Sequence, residues 1–181
     1  MNTLDDAWRW YQTTRESLRL VSRIARRYWN TWDSDSPLGR DPVVRTAEPT
    51  ALHEGAEAAL EELNVFAVFV LFSLFEAEVR DSVLEDTAPE RAAVTHTALS
   101  YWMAEAEQAI KEGSFFRVLD ALKAPDLHDV IEQVNQVRRY RNWVAHGRRE
   151  EPQASVTPPE AYRRLRGFLD ALNPPPAPPP V

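Results

Sequence analysis

The chain has 181 residues, no cysteine, 21 lysines and arginines against 28 aspartates and glutamates, and a formal net charge of −7. That length suits one domain burying roughly 70% of its extended-chain surface. The missing cysteines exclude a disulfide scaffold, a thiolate zinc site and a cysteine nucleophile. The acidic balance excludes a protein that coats nucleic acid over its whole surface, while leaving room for a local basic site.

Met1–Asp6 is polar and acidic and does not read as a secretory signal; with the absence of cysteine, a cytoplasmic location is expected. Leu4, Tyr11, Leu18, Ala25 and Trp32 recur every seven residues, with Ala7, Val21 and Tyr28 between them. This predicts a long first helix, Thr3 to Tyr28, with one apolar stripe that packs on its own core or forms a coiled seam between subunits. Asp33–Gly39 ends it and opens a loop to Pro49. Thr50 is placed to cap a second helix from Ala51 to about Asp86, with a break expected near Asn64. Its apolar run, Leu63 to Phe75, is interrupted by Asn64 and Ser73 and flanked by glutamates. A membrane span needs about 20 apolar residues, so a buried core helix is expected. His53-Glu54-Gly55-Ala56-Glu57 is similar to a zinc-protease helix, but Glu57 stands where the second histidine belongs, so no metal is expected.

Thr87-Ala88-Pro89-Glu90 opens a third helix reaching Lys111. Gly113-Ser114 precedes a short helix, Phe115–Leu122. Pro125-Asp126 starts a helix over Leu127–Ala145, which Gly147 should end. Thr157-Pro158-Pro159-Glu160 begins the last helix, to Leu172, and Pro174–Val181 reads as a polyproline docking peptide or a disordered end. The expected fold is an all-α, antiparallel bundle of five or six helices across residues 1–173.

The helix over Leu127–Ala145 carries the candidate site. With Leu127 at zero and about 100° per residue, Val130, Ile131, Val134 and Val137 form one stripe near 330°, and Arg138 and Arg141 fall near 20° and 320°. Both arginines sit on the core-facing side, and a buried guanidinium requires an anion there, either a carboxylate of the protein or a phosphate of a ligand. His146 lies about 140° around from Arg141 on an ideal helix. Two things could bring it closer: unwinding at Gly147, or a second copy of the helix facing the first. Residues 138–149 hold Arg138, Arg139, Arg141, Arg148 and Arg149 and no acid.

Arg141-Asn142-Trp143-Val144-Ala145-His146-Gly147 resembles the signature of HEPN domains, in which an arginine, often followed by a polar residue, precedes a histidine near a helix end. The resemblance implies a metal-independent endoribonuclease that needs no cofactor. Attack of a ribose 2′-hydroxyl on the adjacent phosphate would leave a cyclic phosphate end. His146 would transfer the proton, Arg141 would hold the phosphoryl oxygens, and Asn142 would orient either partner. Arg138, Arg148 and Arg149 would gather the RNA backbone, and Tyr140 or Trp143 could stack a base, although packing is the expected role of Trp143. Glu76 and Arg80, four apart on the second helix, form an intrahelical pair or set Glu76 against Arg141.

The resemblance further implies RNA as substrate, a homodimer, no membrane partner, and a toxin or antiphage defence effector with an antitoxin or defence-system partner. The alternatives are a non-catalytic module binding RNA, a nucleotide or an acidic partner, and a structural helical adaptor. A second Arg-x4-His run, Arg91 to His96, lacks the polar neighbour and the glycine and opens a helix instead of closing one. His128 and Glu132 read as a surface contact.

Overall fold

The computed structural model describes residues 1–33, 35–123, 127–149 and 155–173. Every regular element among them is helical. In chain order these are α1 (Leu4–Arg23), continued by a π-helical turn (Ile24–Tyr28) and a 3-10 turn (Trp29–Thr31), then α2 (Pro42–Thr46), α3 (Pro49–Asp86), α4 (Ala88–Ala93), α5 (Thr97–Glu112), α6 (Phe115–Ala121), α7 (His128–Ala145) and α8 (Pro158–Leu172). Pro125, Asp126 and the proline tail lie outside the described residues.

α3 is the spine, 38 residues long. The Glu48 carboxylate caps it by accepting from the Ala51 N–H at 2.7 Å, so it starts at Pro49 and not after Thr50. The break expected near Asn64 does not occur. Asn64 stays exposed in helical geometry and accepts the Tyr11 hydroxyl at 2.9 Å, while Leu63 and Ala67 are buried on either side of it. By length and composition α3 could cross a membrane; in this fold Leu63, Ala67, Leu71, Phe75 and Val79 pack inside the bundle.

α1 lies antiparallel to α3. The Leu4 N–H donates to Glu78, Tyr11 meets Asn64, and Ser22 meets His53 and Glu57. The expected apolar stripe is therefore covered within the chain along most of its length: Leu4, Ala7, Tyr11 and Ala25 are buried and Leu18, Val21 and Trp32 half-buried, while Tyr28 stays exposed. α7 is also antiparallel to α3, with Arg141 beside Glu76 and Arg148 on Glu62. α8 opens on a capping box between Thr157 and Glu160 and runs antiparallel to α1. Its Tyr162 hydroxyl donates to Asp5 at 2.9 Å, and the Tyr162 ring stacks on Trp8 at 4.7 Å.

Two elements differ from the expected set. Asp41 caps a short α2 within the expected loop, with Pro42 in its first turn. The helix expected to reach Lys111 is divided, because Val94 and His96 take extended backbone between α4 and α5. No glycine or proline marks that break; β-branched Val94 and Thr95, weak helix formers, occupy it. α5 buries none of its residues and exposes Leu99, Tyr101 and Trp102.

The core centres on Phe75, which contacts the rings of Phe72, Phe115 and Phe168 at 5.9, 5.9 and 5.5 Å. These residues join α3, α6 and α8, and Ile131, Val134 and Val137 of α7 close the same cluster. Burying an aromatic side chain of this kind dominates the energetics of a small bundle. Phe75→Ala should lower unfolding free energy by about 3–5 kcal/mol in urea titrations; a loss under about 1 kcal/mol would show that the cluster is not the core.

Candidate active site

α7 is positioned by its buried stripe. Ile131, Val134 and Val137 are almost fully buried, and Arg138 and Arg141 continue the same face where it leaves the core. Each guanidinium lies over an aromatic ring supplied by another helix. Arg141 sits 5.2 Å from the centroid of Phe69 and 5.6 Å from Phe72, and Arg138 sits 5.1 Å from Phe116. A third arginine, Arg80 of α3, sits 5.4 Å from Phe115. Ring faces attract the cations, and guanidinium tolerates this partial loss of water better than ammonium does.

One carboxylate serves two of these cations. Glu76 Oε1 accepts from Arg80 Nη2 at 2.6 Å and from its Nε at 3.2 Å. Arg80 is further fixed by donating to the backbone carbonyls of Ile110 and Gly113. Glu76 Oε2 lies 3.9 Å from Arg141 Nη2, which gives an ion pair but no hydrogen bond. Both expected roles of Glu76 are thus present, with the intrahelical pair the tighter one. Arg141 Nη1 donates to Asn142 Oδ1 at 3.1 Å, and its Nε is buried with no hydrogen-bond partner. A donor left in that state costs about 1–3 kcal/mol.

These groups line a cleft of about 270 Å³ between α3, α7 and the α5–α6 connection, bounded by Glu76, Arg80, Arg138, Arg141 and Asn142 over a floor of Phe72, Phe115 and Phe116. Burial, reinforced by neighbouring Arg139 and opposed by Glu132, pulls the pKa of Arg138 below its ordinary value. Its Nε donates to Asn135, a buried polar residue of α7.

His146 is not among the residues that line this cleft; it is exposed at the C-terminal end of α7. The helix end explains why. The His146 N–H donates to the Asn142 carbonyl at 2.9 Å, so His146 keeps nearly helical backbone (φ −88°, ψ 14°). Unwinding begins one residue later, at Gly147, whose φ of +79° favours a residue without a Cβ. The Gly147 and Arg148 N–H groups then close on the Val144 and Trp143 carbonyls, the paired bonds of a Schellman stop. The glycine therefore ends the helix as expected without freeing the histidine, and the large angular separation from Arg141 persists in the single chain.

The arginine-rich segment is less free than its sequence suggests, because acids distant in sequence reach it. Arg139 pairs with Glu132 at 2.5 Å, and Arg148 forms a two-pronged pair with Glu62 at 2.6 and 3.1 Å. The bond from Arg148 holds the Glu62 carboxyl below its ordinary pKa. Arg149 is exposed and makes no ion pair among the described residues. Tyr140 packs against the core with its ring 5.4 Å from Trp143, does not line the cleft, and has its phenol pKa raised by burial.

The second Arg-x4-His run is split across two helices. Arg91 of α4 donates to the Leu84 carbonyl and Thr87 and pairs with Glu107 at 3.7 Å, whereas His96 starts α5. His128 lies nearest Asp129, at 3.6 Å, while Glu132 takes Arg139. The aromatic floor and the Ile110 and Gly113 carbonyls that fix Arg80 are not signalled by the sequence. Phe69 stands seven residues before Glu76, two turns along the same face of α3, which is the only local signal for it.

Replacing Glu76 by Gln leaves Arg80 and Arg141 facing each other without a compensating charge. Glu76→Gln should cost about 1–3 kcal/mol in sodium chloride and recover in sodium sulfate more than the wild type gains. Equal sulfate effects on the two proteins would show that the arginines do not face a space open to anions.

Compared with protein-family models, with curated proteins and with solved structures, the chain matches none of them.

Proposed function

We propose that the chain is a metal-independent endoribonuclease of HEPN type whose reactive site is completed by a second copy. The observation that carries this reading is the Arg141 guanidinium, held on the cleft with an unsatisfied buried Nε and only a shared, distant carboxylate. A phosphodiester oxygen is the acceptor that a planar, permanently charged donor fork suits.

In the proposed reaction the 2′-oxygen forms a bond to phosphorus as the bond from phosphorus to the 5′-oxygen breaks, leaving a 2′,3′-cyclic phosphate. His146 takes the 2′-hydroxyl proton or delivers a proton to the departing 5′-oxygen. Arg141 stabilises the charge that grows on the non-bridging oxygens. Asn142 holds Arg141 and would otherwise orient a phosphate oxygen. Arg138 and Arg149 are left to follow the RNA backbone, and Arg148 would have to leave Glu62 to join them.

Because His146 lies outside the cleft of its own chain, Arg141 of one copy and His146 of another must meet across a two-fold axis. Exposed aromatic side chains suit such an interface: Phe116 on the cleft is 41% exposed, and Phe66, earlier on α3, is 55% exposed. A role as a toxin or antiphage effector, in the cytoplasm and restrained by an antitoxin or defence-system partner, rests on the resemblance of Arg141–Gly147 to the HEPN signature. The second reading, a non-catalytic module that binds RNA or a nucleotide through Arg141, is favoured by the same position of His146.

Purified protein incubated with RNA in EDTA separates the two. Arg141→Ala and His146→Ala should each cut the cleavage rate by about 10²–10⁴-fold, while His96→Ala should not. Mixing the two inactive variants should restore about a quarter of the wild-type activity, because half of randomly paired dimers keep one intact composite site. Intact RNA at high concentrations of wild-type protein would establish the binding module instead.

A further inference from the structure

A second cluster of cations lies at the far end of α1. Arginines earlier in that helix have acids beside them: Arg9 is 2.6 Å from Asp6, and Arg15 and Arg19 share Glu16 at 3.8 and 3.3 Å. Arg23, Arg26 and Arg27 form no ion pair among the described residues. With Arg19 they line a pocket of about 420 Å³ between the end of α1, its π-helical turn and the start of α3. The π-helical turn buries Ala25 and keeps Arg26 and Arg27 beside Arg23 at the pocket wall. Turns of this kind concentrate at functional sites.

The other wall is a relay of hydrogen bonds. Ser22 is only 7% exposed, and its hydroxyl donates to Glu57 Oε1 at 2.5 Å. A hydroxyl has one proton, so the contact between Ser22 Oγ and His53 Nδ1 at 3.0 Å must be made by a proton on Nδ1. That fixes the His53 tautomer and leaves Nε2 as an acceptor in the neutral ring or a second donor in the imidazolium. The two carboxylates of the pocket are both engaged, Glu57 by Ser22 and Glu16 by arginines. Glu57 keeps its negative charge under the Ser22 bond, so four guanidiniums face two carboxylates on the pocket wall, and Arg23, Arg26 and Arg27 have no ion pair among the described residues. The space is of the size that accepts small ligands.

We propose that this pocket binds a ligand carrying two or more adjacent phosphoryl groups, held by Arg23, Arg26 and Arg27 with His53 at the inner wall. Several neighbouring guanidinium forks match several closely spaced oxyanions better than one carboxylate. The site is separate from the Arg141 cleft. Glu57 and Glu76 are 19 residues apart on one continuous helix, about 30 Å at 1.5 Å per residue. Its failure and that of the ribonuclease reading are therefore distinguishable.

Titration calorimetry of the full chain with sodium pyrophosphate at low salt tests this directly. A saturable site is expected that persists in Arg141→Ala, where the cleft's own anion binding is removed, and that is weakened at least about tenfold when Arg23→Gln/Arg26→Gln is added to that variant. The ring ¹⁵N resonances of His53 should move on adding pyrophosphate to the wild type, a readout that needs no variant. Displacement of pyrophosphate by ATP but not by a short RNA without terminal phosphates would identify a free polyphosphate as the source. Displacement by the RNA would identify a strand backbone. Absent binding, binding indifferent to the double substitution in a folded variant, or silent His53 resonances would overturn the proposal.

Discussion

The arrangement around Arg141 depends on a single shortage of negative charge. Arg80, Arg138 and Arg141 converge on the seam between α3 and α7, and Glu76 is the one carboxylate among the described residues that line their cleft. Arg80 takes most of it, with two hydrogen bonds to one oxygen and two more donated to backbone carbonyls. Arg138 and Arg141 are held by aromatic faces and side-chain amides. Buried ion pairs are poor sources of stability, and an arrangement with more cations than anions is poorer still. Such a cleft makes physical sense where an external anion completes it, and this links the packing of α7 to the proposed chemistry.

The end of α7 sets the second constraint. A Schellman stop fixes Gly147 and Arg148 and leaves His146 as the cap just past the last helical residue, outside the cleft that Arg141 lines. Arg148 secures that end against α3 through Glu62. The backbone of this helix terminus is therefore fixed by its stop, and His146 is not turned into the cleft of its own chain. Under the proposed ribonuclease reading the Arg/His pair is therefore intermolecular, and the exposed Phe116 on the cleft suits a covered surface.

What the sequence revealed follows from how local each cause is. The α1 stripe, the Thr157–Glu160 capping box and the Gly147 stop are encoded by neighbours within a turn or two, and each was readable. The division of α4 from α5 was not, because Val94 and Thr95 weaken a helix without forbidding it. The concentration of charge over residues 138–149 was overestimated, because Glu62 is 86 positions from the Arg148 it neutralises. The wheel placed Arg141 on the core side correctly, but nothing nearby in the chain indicated the phenylalanines beneath it. His53 shows the same limit. Read along α3 it was half of a failed zinc motif, and only the antiparallel packing of α1 brings Ser22 to complete its relay with Glu57.

The central proposition is that Arg141 and His146 act on one phosphate although one chain holds them apart. The most direct measurement follows the ring ¹⁵N resonances of His146 as a 2′-O-methyl RNA, which cannot be cleaved by this route, is added. The account predicts that they shift with the wild-type protein and stop shifting in Arg141→Ala, with both proteins dimeric at the concentration used. His146 resonances indifferent to the RNA, or shifts that survive loss of Arg141, would contradict it.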